Sequence, residues 1–110
     1  MGDAMDALER QYKFLDSRFN QLFADCKSDD QRDQLRTCYV TARDNFWEAR
    51  ARVFHEGDPQ VDSVIDDLKD AANQINGMLK GEKQIALILN ALTAAVHLGS
   101  TLITLGSVAA

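Results

Sequence analysis

The sequence predicts an all-α fold, an antiparallel four-helix bundle in a single domain spanning residues 1–110. Three observations lead there. Breakers are scarce: one proline and six glycines in 110 residues favour long helices over many short strands. Apolar residues recur in steps of three and four along three successive segments. Capping and turn residues stand between those segments. A chain of 110 residues can also bury a core without metal or disulfide support.

The first helix is expected at about 3–26. Its stripe is Met5, Leu8, Tyr12, Leu15, Phe19, Leu22 and Cys26, stepping 3-4-3-4-3-4 over about 36 Å. Lys27-Ser28 turns the chain. Ser28 with Gln31 three residues on reads as a capping box, and Asp29 and Asp30 suit a helix N-terminus. The second helix, expected at 29–56, carries Leu35, Tyr39, Ala42, Phe46, Ala49 and Val53. A parallel line, Val40, Trp47 and Phe54, widens its face enough for two neighbours.

Gly57 is a natural helix stop, and Asp58-Pro59 is a clean restart with aspartate as cap and proline in the first turn. The third helix, expected at 59–80, carries Val61, Val64, Leu68, Ala71, Ile75 and Met78. Folding the chain back at residue 28 sets Leu22 against Leu35, Phe19 near Cys38, Leu15 near Ala42 and Leu8 against Ala49. Folding it at Gly57-Asp58 sets Phe54 against Val61 and Trp47 against Leu68. The same arithmetic separates Cys26 and Cys38 by roughly 12 Å along the axis, too far for a disulfide.

The fourth helix, expected at 82–105, is unusually hydrophobic. From Ile85 to Ala110 there is no Asp, Glu, Lys or Arg in 26 residues. A helix apolar all round belongs in a core or in a membrane. Three threonines, two serines, two glycines, Asn90 and His97 dilute it. In a four-helix bundle one face of this helix would still meet water, and that face would be bare of charge.

Net charge is −5, which argues against a nucleic-acid partner. The arginines at 32, 36, 43, 50 and 52 are interleaved with acids, as on a solvated helix face. The N-terminus has no apolar signal-peptide core, so the expected compartment is cytoplasmic, with membrane association as the variant that the last helix allows.

Chemistry-bearing patterns are weak. DDxxD occurs at 29–33 and at 66–70. Two such motifs can hold Mg²⁺ for a diphosphate, as in isoprenyl-diphosphate synthases, but this chain is far too short for that enzyme. A helix N-terminus and a solvated face, Asp62, Asp66 and Asp70, account for both. His55 is expected at a helix C-terminus, where the dipole suits it. No nucleophile motif, phosphate loop or metal-ligand spacing is present. The expectation is therefore no catalytic residue, no metal ligand and no cofactor.

What remains is interaction. The sequence points to a non-enzymatic helical module that binds a second copy of itself or a partner helix. The residues expected to carry contact are Trp47, Phe54, Leu89, Leu92, Val96, Leu102 and Ile103. His97, set among apolar neighbours, is the candidate pH-sensitive residue. The alternative is a membrane-associated or pore-forming protein that inserts residues 85–110.

Overall fold

The computed structural model describes residues 2–55 and 57–108. Four long helices dominate: α1 (Asp3–Asp25), α2 (Asp29–Ala49), α3 (Pro59–Lys80) and α4 (Ile85–Leu105). Two short strands, β1 (Arg52–Val53) and β2 (Ser107–Val108), pair antiparallel, Arg52 opposite Val108 and Val53 opposite Ser107.

The helix starts follow from local chemistry. Ser28 Oγ accepts from the Gln31 backbone N–H at 3.1 Å, while Gln31 Oε1 accepts from the Lys27 N–H at 2.6 Å. Asp58 Oδ1 accepts from the Gln60 N–H at 2.8 Å, with Pro59 opening α3. Gly57 supplies the left-handed backbone before that cap, φ 84°.

Three boundaries differ from the sequence reading: α1 ends at Asp25 rather than 26, α4 starts at Ile85 rather than 82, and the end of α2 differs most. α2 stops at Ala49, not near residue 56, and Glu56 itself lies outside the described residues. The chain turns at Arg50-Ala51 and leaves as β1, which pairs with β2 after the end of α4. Arg52 anchors the junction: its guanidinium donates to Glu48 Oε1 at 2.8 and 3.1 Å and to the Gly106 carbonyl at 3.3 Å. Gly106 lets the Phe54 ring close over this end, since a Cβ there would stand 2.8 Å from Phe54 Cε1. His55 consequently sits in a loop rather than at a helix terminus.

The bundle is built from two antiparallel hairpins, α1–α2 and α3–α4. The first forms as the sequence indicates: Leu15, Leu22, Leu35, Cys38 and Ala42 share one buried cluster, and Leu8 and Ala49 share the other. The second hairpin does not continue the sheet-like order of neighbours. α2 packs on α4, and α3 packs on α4 and α1, so α2 and α3 stand diagonally across the bundle. The expected pairing of Trp47 with Leu68 is therefore absent. Leu68 is buried with Ala4, Leu8 and Leu102, while Trp47 is 55 % exposed. The cause is the absence of charge on α4. A helix with no ionised side chain gains most from burial, and α4 packs against both α2 and α3 while also meeting α1.

Candidate interaction surface

Of the residues the sequence nominated for contact, five face inward. Leu89, Leu92, Val96, Leu102 and Ile103 belong to the buried core. A partner cannot reach them while the bundle stands. Phe54 is partly buried against the end of α4. Trp47 and its line-mate Val40 look outward from α2. The Arg50 guanidinium lies over the Trp47 ring at 4.4 Å and over the Phe46 ring at 4.9 Å. His97 is exposed on α4, with its carbonyl accepting from Thr101 Oγ1 at 3.1 Å. The burial that would have made it a pH switch is absent.

The surface α4 does present is a different set. Ala86, Leu87, Asn90, Thr93, Ala94, His97 and Thr104 are exposed, and Ala91, Leu98, Thr101 and Leu105 are partly so. Leu87, Ala91, Ala94, Leu98, Thr101 and Leu105 step 4-3-4-3-4, a second seam at the heptad spacing beside the buried one. Leu87 is half exposed, at 50 %. Hydropathy could not divide the two seams, because an all-apolar helix shows no polar face from which to read its orientation.

The flanks of this face differ in charge. On the α3 side Asp67, Asp70, Gln74 and Lys83 border the shallow groove that holds Leu87, Ala91, Ala94 and Leu98. On the α2 side the border is a row of neutral polar bonds. Gln34 Nε2 donates to Asn90 Oδ1 at 3.1 Å and to Thr93 Oγ1 at 2.9 Å. The Cys38 thiol lies 3.4 Å from the same Thr93 hydroxyl. Asn45, itself buried, donates to Ser100 Oγ at 3.2 Å and to the Val96 carbonyl at 3.4 Å. Gln11 of α1 joins from the other side, donating to the Ala95 carbonyl at 2.9 Å. Gly99 makes the gathering feasible: a Cβ there would lie 2.8 Å from Gln11 Oε1 and 3.1 Å from Asn45 Nδ2.

Both cysteines are free and buried. Burial pushes the Cys38 thiol up, against a smaller opposing effect of Thr93. Burial likewise raises Cys26, offset in part by the Arg32 guanidinium. Neither is the exposed, low-pKa thiol that nucleophilic chemistry uses. The aspartates of the two DDxxD motifs do not converge. Asp29 pairs with Arg32 at 2.9 Å and Asp33 with Arg36 at 2.8 Å, while Asp66, Asp67 and Asp70 lie exposed along α3. Among the described residues, no three His, Cys, Asp or Glu side chains gather as metal ligands.

Comparison with known protein families, curated proteins and solved structures finds no match to this chain.

Proposed function

We propose that this chain is a non-enzymatic helical interaction module that self-associates through the outer face of α4. The observation that supports it is the seam Leu87, Ala91, Ala94, Leu98, Thr101 and Leu105, regular in spacing and free of charge along the whole helix. Two copies meeting on this face bury no ionised group from α4, and the charges of Asp67, Asp70 and Lys83 stand at its border.

The membrane reading also has an observation behind it. α4 is long and apolar enough to cross a bilayer by length and composition, and less than half of its most apolar window, 44 %, is buried inside the bundle. Against insertion stands the core, because Leu89, Leu92 and Leu102 would have to leave it.

Size-exclusion chromatography with light scattering separates the readings. The expected result is a discrete species heavier than the 12.2 kDa monomer, without detergent. Leu87→Glu, at a half-exposed position, is expected to return the protein to monomer with unchanged helical circular dichroism. A wild-type chain that stays monomeric at high micromolar concentration overturns self-association. Partition into lipid vesicles with loss of the near-ultraviolet tertiary signal favours the membrane instead.

A further inference from the structure

α1 and α3 run parallel but approach less closely than the paired hairpin helices. Between them lies a cleft of about 500 Å³ whose floor is made by Leu92, Ala95 and Val96 of α4. That volume falls within the range of roughly 300–1,000 Å³ common to small-molecule sites. The cleft is on the far side of the bundle from Trp47, and its use does not depend on self-association.

Its walls are polarised along their length. Ala4 and Leu8 share a buried cluster with Val61, Ile65 and Leu68, so the two helices start level. On that alignment Arg10 of α1 and Lys69 of α3 stand within about one helical turn of each other, on opposite walls. Among the described residues neither makes an ion pair or a side-chain hydrogen bond, as with Lys27, Lys80 and Lys83 and unlike Lys13, Arg32, Arg36, Arg43 and Arg52. Below them, toward the helix N-termini, the walls carry Asp3 and Asp6. Above them Phe14, Leu15, Ala72, Ile75 and Leu92 line the cleft, with the amides of Gln11, Asn73 and Asn76 among them.

We infer that this cleft binds a compact amphipathic acid, its carboxylate held between Arg10 and Lys69 and its apolar body lying over Leu15, Ala72, Ile75 and Leu92. Two cations without an ion pair, one on each wall and both beside apolar side chains, favour an anionic head group over a neutral or cationic one. Asp3 and Asp6 repel the head from the lower end and so fix the direction of the tail. The rise along α1 from Arg10 to Leu15 is about 8 Å, which suits a short aliphatic or single-ring body rather than a long chain.

Octanoate is the test ligand, titrated into the full chain and followed by amide NMR shifts and calorimetry. Saturable shifts are expected at Leu15, Ala72 and Ile75. Arg10→Gln combined with Lys69→Gln is expected to weaken octanoate about tenfold or more while leaving the weaker binding of octan-1-ol unchanged. Both cations are exposed, so the fold survives their removal. Ala72→Trp, also at an exposed position, fills the trough and is expected to block acid and alcohol alike. Absence of saturable octanoate shifts, shifts that map instead to the outer face of α4, or octylammonium binding as well as octanoate would each overturn the assignment.

Discussion

The two seams that α2 makes are built on different principles. Toward α1 it presents rings. Tyr12 stacks on Phe46 at 5.6 Å, Phe19 meets Tyr39 edge-on at 5.2 Å, and Tyr12 and Tyr39 stand 5.8 Å apart. Toward α4 it presents Gln34, Cys38 and Asn45, each bonded to a hydroxyl or amide of that helix, and Arg52 of β1 adds a bond to the Gly106 carbonyl at its end. The aromatic seam buries area, which stabilises without fixing position closely. The polar seam gains little net energy per bond, but a slip of α4 along α2 would strand buried donors and acceptors. One seam supplies stability, and the other selects which packing of a featureless apolar helix is native.

That division can be broken from either side. Phe46→Ala removes a buried ring from the aromatic seam and is expected to cost about 3–5 kcal/mol, read from urea unfolding. Gly99→Ala strikes the polar seam where α1, α2 and α4 meet. Its new Cβ would crowd Gln11 Oε1, Asn45 Nδ2 and Leu8 Cδ2 at 2.8–3.2 Å, for an expected loss of about 1–3 kcal/mol. Asn45→Ala should cost only about 1 kcal/mol but broaden the amide resonances of α4, the sign of a helix losing its single position. If Asn45→Ala proves as costly as Phe46→Ala, the polar seam is an energetic element and the contrast fails.

Smaller effects refine the aromatic side. Tyr39 donates to Asp16 Oδ1 at 2.9 Å, and its ionisation is pushed above the ordinary tyrosine range by the neighbouring Tyr12 hydroxyl and by Asp16. A folded-state pKa raised above the unfolded value of about 10 means the neutral form is the stabilised one. Its contribution is present below pH ~10 and is lost as the pH climbs above that value. Tyr39→Phe should remove the late step of the tyrosinate titration at alkaline pH and flatten the alkaline fall in melting temperature. At the small end, Gly77→Ala meets open space on the outside of α3. It should stabilise by about 0.5–1 kcal/mol, opposite in sign to the same change at Gly99.

The contrast also explains what could be read in the sequence. The α1–α2 hairpin was legible because Leu15, Phe19, Leu22, Leu35 and Ala42 alternate with charged residues, so spacing reports the buried face. α4 was legible as a helix and as the odd one out, yet not in its orientation. Asn90, Thr93 and Ser100 determine that orientation through bonds to Gln34, Cys38 and Asn45, and such pairings leave no periodic trace in hydropathy. The early end of α2 was hidden for a similar reason. Val53 and Phe54 continue the apolar spacing, while the strand pairing that draws them away comes from residues 107 and 108, far along the chain. The α1–α3 cleft has no signature in the sequence, because it forms only where α3 packs on α1 instead of α2.

The diagonal placement of α2 and α3 has a consequence for how the chain reaches its native state. Each hairpin closes over a short turn, so its own contacts come at small entropic cost. The α2–α4 seam joins residues more than 50 positions apart, as Asn45 with Ser100 and Gln34 with Asn90. The two hairpins can therefore form early and independently, and their docking is the late event, guided by polar groups that must find their partners. Until then the apolar inner face of α4 is covered on one side only, and this waiting interval is when two chains are most prone to exchange hairpins across the Gly57 turn.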